Sequence, residues 1–308
     1  MTDLSALLDN DPVVATAGTD MLADSVEQQG ASVFRADWKP PHPAAAAALA
    51  TLAGSGRTAE ANVTAIDRML AVRPHLADVR VARDVFPDMT DRTLLHAGPP
   101  IEWERASGPM RGAIIGAMLY EGLATDPDDA SVKAAGGEVE LSPCHHPGAV
   151  GPKAGVTAPS MPVAVIEDGA GSGVSYSTLN EGLGKVLRYG AFAPEVIERL
   201  QWMDRVLGPV LGAALRSRGP VDLQSLIAQA LQMGDDGHNR NRAVTSLFLR
   251  EVGAALVDGA DAPPSQRLEV FKFIDGNDHF MLNLVMAAGK LGSDAAAGVP
   301  GSSLVTVM

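Results

Sequence analysis

The chain has 308 residues, of which 46% are hydrophobic and 20% charged, and its formal net charge is -13. This length and apolar content suffice for a sizeable core and fit two or three subdomains. The acidic balance excludes a general nucleic-acid binder, which needs clustered Lys and Arg. No apolar run reaches about 18 residues, and the acidic N-terminus is unlike a signal peptide. We therefore expect a cytoplasmic protein without a membrane contact.

The first part of the sequence predicts a small βαβ unit. Residues 12–18 are typical of a short buried strand, a helix follows through residue 29, and 31–38 predict a second strand. Gly18 stands alone before that helix, so the three-glycine fingerprint of dinucleotide binding is absent. No nicotinamide or flavin site is expected, and no cofactor is predicted.

The rest of the sequence predicts further strands and many helices. A helix rich in small residues is expected over 108–124, and strands are expected at 139–141 and 162–167. The later predicted helices are 194–215, 223–233, 241–256, 266–274 and 280–291. The expected fold is mixed α/β (α+β). Its four predicted parts are a βαβ-containing N-terminal part over 1–88, a central α+β part over 89–189, a helical subdomain over 190–292, and the start of a further β-containing part over 293–308.

Five polar, glycine-bearing segments interrupt these apolar elements, and they predict one composite pocket. The most informative is SPCHHPGAVGPK at 142–153, which holds the only cysteine, two of the seven histidines and a lysine. A single cysteine also excludes an internal disulfide. The other four segments are 95–100, 178–182, 233–242 and 276–280.

The histidine pair of the first segment is the leading candidate for chemistry. Either His145 or His146 can donate a hydrogen bond to a substrate carbonyl or carry a proton near neutral pH, and the alternative is a loop histidine bonded to backbone. Cys144 is a weaker candidate, because a nucleophilic thiol needs a base that lowers its pKa. No metal site is predicted, since neighbours in sequence rarely bind one ion together, and Cys144 is only a weak candidate ligand.

The segment 233–242, MGDDGHNRNR, lies between two predicted helices. The start of the second helix presents N–H groups suited to an anion, and Arg240 and Arg242 add charge. His238 is a candidate proton carrier. The alternative is a solvated loop whose Asn and Asp residues cap helices.

Two further segments offer similar chemistry. In 276–280, Asp278 can orient His279 as a base, and capping is again the alternative. In 180–189, NEGLGKVLRY has the glycines and cations of an anion cradle but is not a P-loop. Lys185 and Arg188 lie three residues apart on one helix face, which is equally typical of a solvated surface.

These motifs resemble a known family. The matching segments are LHAGPPIEWERASGPMRGAIIGAMLYEGLA (95–124), SPCHHPGAVGPKAGV (142–156), PSMPV (159–163), TLNEGLGKVLRYGA (178–191), ALQMGDDGHNRNRA (230–243) and GNDHF (276–280). They are closely similar to the YlbE-like family, formerly a domain of unknown function. The resemblance runs from about Val13 to the last residue. Members of the family continue well past the position of Met308, so the resemblance implies that the chain is truncated at its C-terminus.

The resemblance also implies a function. It points to the AllG-type subunit of oxamate carbamoyltransferase, which accompanies an FdrA-like subunit and a third small subunit in allantoin degradation. Such an assembly converts oxalurate and phosphate to oxamate and carbamoyl phosphate. The expected ligands are therefore a small ureido acid and phosphate, and self-association into a homo-oligomer stays open.

Carbamoyl transfer needs cations for two anions, donors to the ureido carbonyl, and a proton carrier for the leaving nitrogen. Residue type and motif position supply candidates for these roles. The catalytic candidates are His145, His146 and His238. The substrate-binding and anion-binding candidates are His96, Arg111, Asn180, Glu181, Lys185, Arg188, Asn239, Arg240, Arg242, Asn277, Asp278 and His279. Two other interpretations stay open: a non-catalytic partner of an FdrA-like subunit, and a metal-dependent amide hydrolase.

Overall fold

The computed structural model describes residues 13–18, 20–37, 43–151, 155–171, 173–179, 192–258, 262–277 and 279–302. The chain divides into two compact units, Met1–Glu60 and Ala61–Met308. The mixed α/β class predicted from the sequence is confirmed. The four parts predicted from the sequence are a different division and stay a prediction.

The first unit contains the predicted βαβ arrangement. Its elements are strand β1 (Val13–Thr16), helix α1 (Asp20–Glu27), strand β2 (Ser32–Arg35) and helix α2 (Pro43–Gly54). Strands β1 and β2 are parallel, with Val13 opposite Ser32. The guanidinium of Arg35 bonds to the carboxylates of Asp24 and Glu27, which ties the end of β2 to α1.

The second unit is built on two sheets. Its strands are β3 (Pro74–Val81), β4 (Thr93–His96), β5 (Glu140–Pro143), β6 (Ala149–Val150), β7 (Val156–Thr157), β8 (Pro162–Asp168), β9 (Val174–Thr178) and β10 (Val221–Asp222). The larger sheet has the order β10-β3-β8-β9-β6, and the smaller sheet has the order β5-β4-β7. The pairs β4 with β5 and β6 with β9 are parallel. The chain therefore passes from the smaller sheet to the larger one between β5 and β6, and returns between β6 and β7.

Helices make up most of the second half of the chain, as predicted. They are α3 (Arg57–Ala71), which begins in the first unit, α4 (Ala82–Val85), α5 (Gly108–Tyr120), α6 (Pro127–Ala135), α7 (Pro194–Trp202), α8 (Gly208–Arg218), α9 (Leu223–Gln232), α10 (Arg242–Asp258), α11 (Pro264–Gly276) and α12 (Phe280–Ala296). A 3₁₀ turn spans Trp103–Arg105. None of the helices within the described ranges is long and apolar enough to cross a membrane.

Two of these helices pack directly on the larger sheet. Helix α8 lies against β3, where Gly212 permits close approach: a Cβ there would sit 2.9 Å from the backbone oxygen of Val79. Helix α12 packs against β6, β8 and β9, and the Ser175 hydroxyl donates to the Ala287 carbonyl at 2.7 Å. This packing brings α12 beside the edge strand β6.

The structure also differs from the sequence prediction in detail. The helix expected over 194–215 is interrupted by a π-helical turn, Met203–Leu207, directly before Gly208 and Pro209. Strands β3, β4, β6, β7, β9 and β10 were not predicted. In β3 the pairing with β8 shifts between Leu76 and Asp78, so a bulge breaks the alternation that would have signalled a strand. The strand suspected at 302–308 lies almost wholly outside the described residues.

Candidate functional site

The parallel strands β4 and β5 end side by side, and their ends bring two predicted segments together. His96 is the last residue of β4 and lies opposite Pro143, the last residue of β5. The Cys144 N–H then donates to the His96 carbonyl at 2.8 Å. The carboxyl ends of parallel strands are where ligands commonly bind in α/β sheets. His96 and the Cys-His-His loop are therefore neighbours in one candidate site.

The loop between β5 and β6, residues 144–148, closes on its own backbone. The N–H of His146 donates to the Pro143 carbonyl and that of Gly148 to the His145 carbonyl, both at 3.2 Å. The N–H of Ala149 donates to the Cys144 carbonyl at 2.9 Å. Gly148 has φ 78°, a conformation that favours glycine. Because the backbone satisfies itself, the side chains of the loop are left for other contacts.

The two loop histidines touch each other but face different surroundings. Their rings are 4.6 Å apart between centroids, at an interplanar angle of 76°. His146 lines a cavity of about 230 Å³ together with Asp88, Glu140 and Ser142. The pKa of His145 is instead affected by groups beyond the loop, among them His96. The two rings therefore have different surroundings, and the cavity at His146 is lined by the acidic side chains of Asp88 and Glu140.

His96 is the most buried of the described candidates, with 1% of its surface exposed. Its Nδ1 lies 3.2 Å from the Ala97 carbonyl, whereas its Nε2 is buried without a hydrogen-bond partner among the described residues. Buried polar groups are nearly always paired, and each imidazole nitrogen can donate or accept according to the tautomer. The Nε2 of His96 thus has a hydrogen-bonding capacity that no described residue uses.

Sequence reasoning missed two residues that complete this surface. Lys290 and Asp294 lie on α12, one turn apart, and the Lys290 ammonium is 2.8 and 2.9 Å from the two carboxylate oxygens of Asp294. The Lys290 side chain is only 8% exposed. A signal was present in the sequence, because Lys290 is the single charged residue in the otherwise apolar predicted helix 280–291.

Burial and nearby charges shift the pKa values of Cys144 and His145 in the 144–148 loop. Burial raises the pKa of the Cys144 thiol, and the nearby Lys290 ammonium opposes that rise only in part. Burial lowers the pKa of His145, and His146, Lys290 and His96 lower it further. At neutral pH the thiol is therefore protonated and a poor nucleophile, whereas His145 is a neutral imidazole that can accept a proton.

The loop between α9 and α10 uses its acids to cap a helix. Asp235 is buried, and its carboxylate accepts from the N–H groups of Gly237, Ala243 and Val244, at 2.8, 2.6 and 3.2 Å. These include the free N–H groups at the start of α10 where the sequence suggested an external anion. For Asp235 the structure therefore matches the alternative interpretation, in which the acidic residues of this loop cap a helix.

The remaining side chains of that loop also have structural contacts or face solvent. His238 is exposed, and its N–H donates to Asp236. Asn239 and Arg240 are exposed too, and the Arg240 N–H donates to Asp236 at 2.8 Å. The Arg242 guanidinium bonds to the Asp275 carbonyl on α11. Arg242 therefore joins two helices.

Arg111 on α5 is likewise held by the protein itself. Its Nε donates to the Trp103 carbonyl at 3.1 Å and one terminal nitrogen to the Glu104 carbonyl at 2.8 Å. The guanidinium also lies 5.3 Å from the centre of the Trp103 ring. These contacts anchor the 3₁₀ turn on α5 and use two of the five N–H donors of the side chain.

The described segments do not all converge on one pocket. Gly237 lies against Val285, which is about 140° around α12 from Lys290, given 3.6 residues per turn. His279 and Asn277 stand at the first end of α12, about 16 Å along the axis from Lys290. The Asn277 side chain accepts from the His279 N–H at 3.0 Å. Only His96 and the 144–148 loop are thus brought together with Lys290.

Several predicted site residues lie outside the described part of the chain. They are Asn180, Glu181, Lys185, Arg188 and Asp278. Within the described part, no three His, Cys, Asp or Glu side chains are grouped so that they could hold a metal ion. The roles assigned to all these residues stay predictions.

Comparisons with known proteins place the chain in a family. The family profile described as oxamate carbamoyltransferase subunit AllG matches residues 139–308, a range that includes the 144–148 loop and α12. The chain belongs to the AllG family. The AllG-type resemblance predicted from the sequence motifs is thereby confirmed.

Relatives of this AllG family member include two curated proteins of Escherichia coli K12. The uncharacterized protein YahG is 40% identical over 301 residues, 96% of this chain and 64% of that protein. The oxamate carbamoyltransferase subunit AllG is 42% identical over 252 residues, 81% of this chain and 60% of that protein. This chain therefore spans less than two thirds of the length of either relative.

A solved structure has the same fold. The crystal structure of a conserved protein of unknown function from Enterococcus faecalis V583 matches with a TM-score of 0.77 and 41% identity, over 80% of this chain and 59% of that one. At this identity and TM-score the match supports the fold.

Proposed function

We propose that this chain is a subunit of a cytoplasmic carbamoyltransferase that exchanges oxalurate and phosphate with oxamate and carbamoyl phosphate, in the catabolism of purine nitrogen from allantoin. The proposal includes an FdrA-like subunit and a third small subunit as partners. The observation that carries it is the 42% identity to the oxamate carbamoyltransferase subunit AllG. The family match runs through the loop and the helix that build the candidate site.

The chemistry needs the kinds of group that this site holds. A phosphate oxygen attacks the carbamoyl carbon of oxalurate, the bond from that carbon to the oxamate nitrogen breaks, and the nitrogen takes up a proton. The neutral imidazole of His145 suits removal of the phosphate proton and its delivery to the leaving nitrogen. The Lys290 ammonium supplies positive charge beside it, which favours anionic substrates and the negative charge of the transition state.

The experiment is carbamoyl phosphate formation from oxalurate and phosphate by the intact protein, co-expressed with its FdrA-like partner. A double variant, His145→Ala with His146→Ala, is compared with His238→Ala, which changes an exposed histidine of the other loop. We expect the double variant to lose about 100-fold or more of the turnover, the usual contribution of general acid–base groups. His238→Ala tests the third catalytic candidate, and unchanged turnover would remove His238 from the list.

The other results have distinct meanings. No turnover by the wild-type assembly would contradict the oxalurate reaction. Normal turnover by the double variant, in an intact assembly, would favour a non-catalytic role for this chain beside an FdrA-like catalytic subunit. The hydrolase alternative requires several ligands around one ion, and the described residues supply no such group.

A further inference from the structure

The ion pair of Lys290 and Asp294 has an unequal exposure. The Lys290 side chain is 8% exposed and that of Asp294 is 47% exposed, so the cation is fixed in the protein and the anion is partly in solvent. Both short contacts of the ammonium go to this one carboxylate, at 2.8 and 2.9 Å. The Lys290 ammonium has three N–H donors. A ligand that displaces the Asp294 carboxylate can therefore accept hydrogen bonds from a buried cation that is already in place.

The pair is also poorly placed to stabilise its own helix. The acid follows the lysine by four residues, which is the weaker order for a helical ion pair. Asp294 lies near the C-terminal end of α12, where the helix dipole disfavours a negative charge. Stabilisation of α12 therefore does not account for the acid at this position.

A second lysine–aspartate ion pair in the same chain has the features expected of a pair that stabilises its helix. Lys133 and Asp129 on α6 are also four residues apart, and their contact is 2.9 Å. Here the acid precedes the lysine, both side chains are 29% exposed, and the ammonium also donates to the Leu123 carbonyl at 2.9 Å. This lysine is shared between two partners, whereas Lys290 bonds to the one acid among the described residues.

A buried imidazole lies beside the same loop. The His96 carbonyl accepts from the Cys144 N–H at the start of the 144–148 loop, and helix α12, which carries Lys290, packs on β6 at the end of the same loop. Both residues also lower the pKa of His145. The Nε2 of His96 is buried without a partner in the described structure. A buried cation and a buried, unpaired imidazole nitrogen beside one exposed histidine supply two recognition points for an oxyanion.

We propose that Lys290 and His96 form the anion-binding subsite of this site, and that Asp294 occupies the subsite until a phosphate or carboxylate group displaces it. Lys290 binds the charge of the ligand, and the Nε2 of His96 bonds to one of its oxygens. Asp294 keeps the buried ammonium paired when the site is empty and turns toward solvent when a ligand arrives. This proposal rests on the proposed function for the choice of ligands.

The test is calorimetric titration of the intact protein with sodium phosphate, with oxamate and with the uncharged oxamide. Lys290→Met removes the charge at nearly constant volume, and Asp294→Asn removes the competing charge. We expect Lys290→Met to weaken anion binding about tenfold or more, and Asp294→Asn to tighten it by a similar factor. Lys133→Met is the matched control and should leave binding unchanged.

The choice of probe identifies the anion. Opposite shifts for phosphate alone would assign the subsite to phosphate, and opposite shifts for oxamate alone would assign it to the carboxylate of the ureido acid. Oxamide bound as tightly as oxamate, or equal binding by wild type and both variants, would overturn the subsite. If Lys290→Met fails to fold, the tightening by Asp294→Asn still decides the question.

The binding test and the turnover test can fail separately. Anion binding with the expected shifts but no carbamoyl phosphate from oxalurate would retain the subsite and contradict the reaction. Turnover of oxalurate without any effect of Lys290→Met or Asp294→Asn on binding would retain the reaction and contradict the subsite.

Discussion

Two loops of this protein have similar composition and opposite structural roles. The 235–241 loop and the 144–148 loop both hold glycine and histidine, and both lie near α12. In the first, the Asp235 and Asp236 carboxylates accept from backbone N–H groups of the same loop and of α10. In the second, the backbone closes on itself, and the Nε2 of the neighbouring His96 has no partner among the described residues. The two loops therefore differ in which groups their side chains bond to, although their compositions are similar. Side chains bonded to the backbone mark the structural loop, and a side-chain nitrogen without a partner marks the candidate site.

The largest effect on stability is expected from removal of the Asp235 carboxylate, which tests the structural role of the 235–241 loop. We expect Asp235→Ala to reduce the free energy of unfolding by about 3 kcal/mol, because three backbone donors lose a buried charged acceptor. Urea denaturation measures the change. Asp236→Ala, at an exposed position of the same loop, is the control and should cost clearly less. Equal losses would mean that burial of the acid does not matter.

Replacing His96, in contrast, should change stability little and should weaken anion binding. We expect His96→Leu to change the free energy of unfolding by less than about 1 kcal/mol, because losing the contact to Ala97 is offset by removing an unpaired buried nitrogen. The same variant should bind phosphate and oxamate more weakly. A loss of stability as large as that of Asp235→Ala would make His96 a structural residue, and the contrast between the loops would fail.

The smallest expected effect is a change in the titration of His145. Lys290→Met should raise the pKa of His145, because the ammonium is one of the charges that lower it. NMR titration of the imidazole signals measures the shift, with Lys133→Met as the control. The folded-state pKa lies below the unfolded value of 6.5, so the contribution of His145 to stability is present above pH 6.5 and declines as pH falls through the folded pKa. An unchanged pKa in Lys290→Met would separate Lys290 from the loop.

The sequence was a good guide to the elements and a partial guide to the site. Helical periodicity located the helices after Tyr189, and the histidine pair marked the loop that does lie at the ends of two parallel strands. Lys290 lies in a predicted helix but was not among the candidates, because only the packing of α12 on β6 and β9 brings it near the loop. Periodicity also gave no means to find that Asp235 turns inward to cap α10. Both facts depend on contacts between residues far apart or across a turn.

The position of the 144–148 loop between two sheets has a consequence for folding. Strand β5, which enters the loop, belongs to the smaller sheet, and strand β6, which leaves it, is the edge of the larger one. Helix α12, which brings Lys290, follows more than a hundred residues later. Such non-local contacts form slowly, because distant segments must meet before any of them is stabilised. Anion binding at this loop therefore reports completed folding of the second unit, and recovery of binding during refolding should lag behind the recovery of helical signal.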